Sequence, residues 1–176
     1  MLTVENNDHK VDSIFFKKGC IIQRPGNQSK VGYRVLKGLL RSYAIDNKGR
    51  EHNFMFAPEN WIISDLEATE FNQPSVLFIQ CMEDSWVRKF SPEDPKEINF
   101  DSSDHPERAK LLARRVAVLQ RRVLMLMSAT ARERYEHFID TYPQLIHRIS
   151  QKNIASYLGI TPEALSKIRR EIVKAE

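Results

Sequence analysis

The sequence predicts an α+β protein: an antiparallel β region, then one long helix, then a small helical C-terminal domain. Three observations carry this reading. Apolar residues recur at every second position between turn signals from Ser13 to Phe90. The spacing changes to a heptad-like pattern after Pro106. Ser150 to Arg170 then parses as two short helices around a glycine turn. A chain of 176 residues with 41% apolar content is long enough for a medium β domain and a small helical one. The boundaries are placed at residues 1–104, 105–128 and 129–176.

In the β region, Phe15-Phe16-Lys17-Lys18-Gly19 leads into Cys20-Ile21-Ile22-Gln23, and Pro25-Gly26-Asn27 makes a turn. Val31, Tyr33 and Val35 alternate with polar or small neighbours up to Lys37-Gly38, and Leu39, Arg41, Tyr43 and Ile45 continue the period of two. Asp46-Asn47-Lys48-Gly49 supplies a tight turn, because Asn and Gly tolerate the positive φ that such turns demand. His52, Phe54 and Phe56 begin the next strand, and two more run from Ser75 to Cys81 and from Ser85 to Phe90. Short antiparallel strands in such number indicate a sandwich or barrel rather than a parallel sheet. Ser91-Pro92-Glu93-Asp94-Pro95 closes the region, and Asp101-Ser102-Ser103-Asp104 connects it to the helix.

Along that helix Leu112, Val116, Leu119, Val123 and Leu126 follow at spacings of 4, 3, 4 and 3. Such a seam stays on one helix face and suits pairing with a second copy of the chain. Arg108, Arg114, Arg115, Arg121 and Arg122 fall off the seam, while Val118, Leu124, Met125 and Met127 widen the apolar surface beside it. A face this broad is expected to touch both its own domain and a partner. Thr130 and Glu133 have the spacing of a capping box, so a new helix should start there, with Tyr135, Phe138 and Ile139 on one side and Pro143 at its end.

Ser150-Gln151-Lys152-Asn153-Ile154-Ala155-Ser156-Tyr157-Leu158-Gly159 reads as a capped helix and its turn. Ile154, Ala155 and Leu158 face inward, and Ala155 is small enough to let a second helix cross closely. Thr161 is a good N-cap and Pro162 suits the first helical position, where its missing N–H has no partner to lose. With Leu165 and Ile168 buried, the exposed side of the second helix presents Pro162, Glu163, Ser166 and Lys167. A recognition helix offers such a face to the DNA major groove. Glu163 can accept from a cytosine amine, Lys167 can donate to guanine, and Ser166 suits either kind of edge. Gln151, Lys152, Thr161, Arg169 and Arg170 are placed for phosphates, which fix register without reading sequence. The charge agrees: residues 1–106 hold 13 Lys/Arg against 16 Asp/Glu, net −3, whereas residues 107–176 hold 14 against 7, net +7. The blander alternative is a helical hairpin with a solvated basic face.

Other classes fit less well. No stretch approaches the roughly 18 consecutive apolar residues of a membrane-spanning helix, and the first eight residues lack the basic-then-apolar pattern of an export signal, so a cytoplasmic protein without a membrane partner is expected. Cys20 and Cys81 are the two cysteines. They are too few for a thiolate metal site and are read as separate buried thiols, a disulfide between them being the less favoured reading. A cupin-like metalloenzyme needs three or four convergent ligands, but His52 is the only histidine in the strand region. No nucleophile-base pair has persuasive context. No catalytic residue, metal or cofactor is therefore expected; His9, His52, His105, His137 and His147 leave haem as an open alternative, with surface or satisfied core residues as the favoured reading.

Taken together, Phe16-x-x-Gly19, Val35-Leu36-Lys37-Gly38-Leu39-Leu40-Arg41, Phe56-Ala57-Pro58-Glu59-Asn60-Trp61 and the helix-turn-helix resemble the Crp/Fnr family of bacterial regulators over nearly the full length. The resemblance implies an N-terminal β-roll of the cyclic-nucleotide-binding type (a double-stranded β-helix), a long dimerisation helix and a DNA-binding helix-turn-helix. It implies a transcription regulator acting as a homodimer on palindromic double-stranded DNA. RNA polymerase and an unidentified small-molecule effector are further candidate partners. Members that bind cyclic AMP carry a Gly-Glu pair followed by an Arg that grips the phosphate. Here Glu59-Asn60 and Gln73-Pro74-Ser75 stand instead, with no Arg between Arg50 and Arg88, so that site is expected to be lost. The short Tyr142 to Arg148 link leaves little room for a β-wing. The competing reading is a ligand-sensing or protein-interaction β-roll with a vestigial helix-turn-helix.

Overall fold

The computed structural model describes residues 13–28, 31–91 and 105–175, with side chains in the long helix described at Ala113 and from Val116 onward. The expected features before Ser13 and from Pro92 to Asp104, and the Leu112 side chain, lie outside the described residues. The chain divides into two compact units, residues 1–99 and 100–176.

The first unit holds eight described strands: β1 (Ile14–Phe16), β2 (Ile21–Gln23), β3 (Gly32–Lys37), β4 (Leu40–Ile45), β5 (Glu51–Ala57), β6 (Ile62–Ile63), β7 (Phe78–Cys81) and β8 (Ser85–Phe90). They form two antiparallel four-stranded sheets in the orders β1-β8-β3-β6 and β2-β7-β4-β5. Tyr33, Val35, Ile63 and Val87 from one sheet meet Leu40, Ala57, Ile79 and Cys81 from the other in one buried cluster. This is the predicted β-roll. Two of its three sequence motifs, residues 35–41 and 56–61, are physically joined: Val35 N–H donates to Trp61 O at 2.9 Å, Asn60 N–H donates to Val35 O at 2.8 Å, and Gly38 N–H donates to a Glu59 carboxylate oxygen at 3.0 Å.

Two expectations need correction, and two short elements are additional. The strand expected from Ser75 starts at Phe78, because Ser75 is taken up in a buried polar network. Its hydroxyl donates to Asp65 at 2.7 Å and accepts from Gln23 at 2.9 Å. The short β6 and the five-residue helix α1 (Leu66–Glu70), N-capped by Asp65, have too few residues to show a period and were not foreseen. Finally, β4 does not alternate between buried and exposed: Leu40, Arg41, Ser42 and Tyr43 are all buried. The register shifts between Ser42 and Tyr43, and Arg41 is covered by its own network. Its guanidinium reaches Glu51 at 2.7 Å, Gln80 at 2.7 Å and Asn53 at 3.1 Å, and lies 4.1 Å from the Tyr43 ring centre.

The second unit is helical in its described residues: α2 (His105–Ser128), α3 (Ala131–Thr141), a 3-10 turn (Pro143–Leu145), α4 (Gln151–Leu158) and α5 (Pro162–Ala175). The capping box expected from Thr130 and Glu133 is formed in both directions. Phe138, Leu145, Ile149, Ile154, Ala155, Leu158, Leu165 and Ile168 make the core between α3, α4 and α5. No strand occurs between Ser128 and Ala175, so the described link holds no β-wing.

Candidate nucleic-acid interface

The two-helix motif is built by local chemistry. Ser150 caps α4 by accepting from Asn153 N–H at 3.3 Å. Gly159 then takes φ +68, the left-handed conformation that a side chain resists. From there Ile160 N–H reaches back to Ala155 O at 3.0 Å, closing the helix end in a Schellman arrangement. The Thr161 hydroxyl accepts from Ala164 N–H at 3.2 Å and starts α5. Ala155 and Leu165 are fully buried where the helices cross. We expect Gly159→Ala to cost about 1 kcal/mol from backbone strain, read by thermal unfolding, because a methyl there meets only ordinary contacts at 3.5 Å and beyond.

The face opposite this core is open. Thr161, Pro162, Glu163, Lys167 and Arg170 are exposed, Ser166 and Arg169 are half-buried, and Gln151 and Lys152 are exposed at the start of α4. The structure therefore brings Pro162, Glu163, Ser166 and Lys167 together on one surface. Lys167 lies 3.9 Å from Glu171, a loose pair with a 75% exposed lysine side chain that a stronger anion can displace. Arg170 donates from Nε to its own helix at Ser166 O, 3.3 Å away.

Glu163 is held in its anionic form. A bond from its own backbone N–H, then one from the Thr161 hydroxyl, keep its carboxyl below the usual glutamate range. Thr161 thus works on both sides of the cap, accepting from Ala164 N–H and donating to Glu163. A depressed folded-state pKa contributes stability that is present above the unfolded pKa and lost as pH falls through the folded one. Helical content should accordingly fall in acid less in Glu163→Gln than in the unchanged protein, followed by circular dichroism.

The described part of the long helix has an exposed apolar face and a packed one. Val116, Leu119, Val123 and Leu126 of the predicted seam are 62%, 43%, 55% and 43% exposed within one chain. The adjoining face packs on the helix-turn-helix. There Arg122, which falls off the seam, is half-buried: its guanidinium stacks 3.9 Å from the Tyr157 ring centre and donates to Tyr157 O at 3.3 Å. Burial lowers its pKa from the ordinary arginine value, against the opposing influence of Tyr157 and Tyr142. Tyr157 in turn meets Phe138 at 5.5 Å and Tyr142 at 6.4 Å. Arg134 donates to Leu158 O at 2.7 Å and to Ala129 O at 3.2 Å, tying the turn of the motif to the end of α2. Sequence reasoning missed Arg134, Tyr142 and Tyr157. An arginine four residues after Thr130 and tyrosines flanking the helix ends carry no periodic signal that separates a spanning contact from solvent.

In the first unit, the region where cyclic-nucleotide binders hold a phosphate offers no arginine among the described residues between Arg50 and Arg88. A phosphate brought to Ser75 would meet the buried Asp65 carboxylate 2.7 Å from its hydroxyl, with Val76 N–H also donating to Asp65 at 3.1 Å. Among the described residues no group of three His, Cys, Asp or Glu side chains could hold a metal. No described helix is long and apolar enough to cross a membrane.

Two antiparallel sheets enclosing one core in the first unit, and in the second a long helix with an exposed apolar seam among its described residues and a helix-turn-helix with an open face, define the architecture. The comparisons give this fold a precedent. No protein-family model matches the chain. The chain is 24% identical, over 193 aligned positions, to the fumarate and nitrate reduction regulatory protein of Yersinia pestis, covering 92% of this chain and 72% of that one. FixK2 from Bradyrhizobium japonicum matches with a TM-score of 0.74 at 20% identity, over 93% of this chain and 84% of that one. A Crp/Fnr-family transcriptional regulator from Thermus thermophilus matches with a TM-score of 0.70 at 22% identity, over 93% and 87%. The chain has the Crp/Fnr fold, and the resemblance read from its motifs is borne out.

Proposed function

We propose that this protein is a sequence-specific DNA-binding transcription regulator of the Crp/Fnr type that acts as a homodimer on a palindromic site. The open face of α5, set on a fully buried two-helix core, carries this reading. Pro162, Glu163, Ser166 and Lys167 enter the major groove and read base edges. Gln151, Lys152, Thr161, Arg169 and Arg170 bind phosphates, aided by the positive end of α5. Leu112, Val116, Leu119, Val123 and Leu126 pair with their counterparts in the second chain, setting half-site centres about 34 Å apart. RNA polymerase is a candidate partner at the promoter.

The effector is not cyclic AMP on this reading. The arginine its phosphate needs is missing, and the Asp65 carboxylate would repel it. Any effector therefore has a different chemistry. The deciding experiment is selection of genomic fragments by the purified protein at two salt concentrations without added nucleotide. A shared palindrome is the expected result; uniform weak binding of all fragments would reject specific, nucleotide-independent recognition.

Two substitutions separate base reading from phosphate binding. Lys167→Ala should cost about 1–3 kcal/mol on the selected site and little on scrambled DNA. Lys152→Ala should weaken both alike and lower the salt slope by about one unit. Equal losses on specific and scrambled DNA for Lys167→Ala, in side-by-side titrations, would remove it from the base-reading set.

A further inference from the structure

The β-roll sets its two cysteines directly opposite one another. Gly19, at φ +85, donates its N–H to Cys81 O at 2.7 Å, and Cys81 returns its N–H to Cys20 O at 2.9 Å. Two successive residues thus face one, with glycine in the left-handed position: a G1 bulge that places Cys20 across from Cys81. Opposed residues of an antiparallel pair hold their Cα atoms roughly 4.5–5.5 Å apart, within the roughly 4.4–6.8 Å that a disulfide spans.

The surroundings separate the two thiols in access. Cys20 is half-buried and closes the turn that begins at Lys17, its N–H donating to Lys17 O at 3.0 Å. Cys81 is 1% exposed, belongs to the core cluster, and neighbours the buried Ser85. Both are free. Burial first, and then the Cys20 sulfur beside it, push the Cys81 thiol up to about 11. The pair is therefore close enough to interact electrostatically, and Cys81 is protected from reacting by itself.

We propose that Cys20 and Cys81 form an oxidation site for peroxide-class oxidants, with Cys20 as the attacking thiol and Cys81 as the resolving one, closing an intramolecular disulfide between the start of β2 and the end of β7. In the first step the Cys20 sulfur attacks one peroxide oxygen and the O–O bond breaks, giving Cys20 sulfenic acid and, from hydrogen peroxide, one water. In the second the Cys81 sulfur attacks the Cys20 sulfur; the S–O bond breaks and a second water leaves. The peroxide is reduced and the two thiols are oxidised by two electrons. A thiol pair so placed makes the β-roll responsive to oxidant independently of any ligand it holds, and this inference does not depend on the DNA-binding reading.

The test uses the full chain, natively folded, treated with a small excess of hydrogen peroxide, quenched by alkylation and mapped as peptides without reductant. The expected result is one linked pair containing Cys20 and Cys81, loss of two hydrogens from the intact mass, disappearance of both alkylated cysteines together, and full reversal by dithiothreitol. Cys81→Ala should instead accumulate Cys20 sulfenic acid, trapped by dimedone, and Cys20→Ser should leave Cys81 unreacted and alkylatable after unfolding. Because Cys81→Ala opens a core position, the Cys20→Ser variant and the unchanged chain suffice to decide the matter. Two thiols that both stay alkylatable after peroxide, a disulfide found only between chains, or oxidation of Cys81 in Cys20→Ser would each overturn the proposal.

Discussion

Leu119→Glu combined with Val123→Glu is expected to convert the protein to a monomer and to lower affinity for its palindromic site about 100-fold or more, the loss that follows when two linked binding modules are separated. Both side chains are about half exposed within one chain, so the substitutions leave the fold of each subunit intact. In the dimer they would bring like charges together in an apolar seam, where desolvation magnifies repulsion. Sedimentation equilibrium reads the association state, and titration of a full palindrome against a half-site reads the affinity. Unchanged dimerisation would move the subunit interface elsewhere, whereas a monomer with undiminished affinity would show that one recognition helix suffices. The second outcome would spare the DNA face and reject the palindrome.

Phe138→Ala is expected to destabilise the helical unit by about 3–5 kcal/mol, the usual cost of emptying a core aromatic site. Phe138 is 1% exposed and its ring stands 5.6 Å from Tyr142 and 5.5 Å from Tyr157. Tyr157 carries Arg122 of α2 on its face, so the cavity also loosens the support on which the long helix rests. DNA affinity should fall with stability, on specific and unspecific DNA together, unlike the selective loss at Lys167. Denaturant unfolding supplies the number. A change below about 1 kcal/mol would mean that the site collapses around the smaller side chain and that the aromatic cluster is not what holds α2 to α4.

These expectations rest on features of different legibility. The cap at Ser150, the glycine turn, the Thr161-Pro162 start and the burial of Ile154, Ala155, Leu158, Leu165 and Ile168 all follow from residues within a few positions of one another. The surface that would read DNA is what that local packing leaves over, which is why the candidate site could be drawn from the sequence. The β-roll strands were readable for the same reason wherever alternation ran long enough. At β6 and α1, two and five residues long, no period could develop.

By itself, then, the sequence determined the order of the longer strands and helices, the caps of the two-helix motif, its glycine turn and the polar face of α5, because each depends on backbone preferences and spacing along a short stretch of chain. Only the tertiary structure decided that Arg122 stacks on Tyr157 rather than facing water, that Arg41 is enclosed by Glu51, Asn53 and Gln80, and that Arg134 ties the helix-turn-helix to the end of α2. The same holds for Cys20 and Cys81, brought opposite each other across 61 positions of chain by one bulge. Long cationic side chains carry an apolar stem and a charged head, so solvent and protein are both open to them. Which one they meet depends on partners that the chain brings together only when it folds.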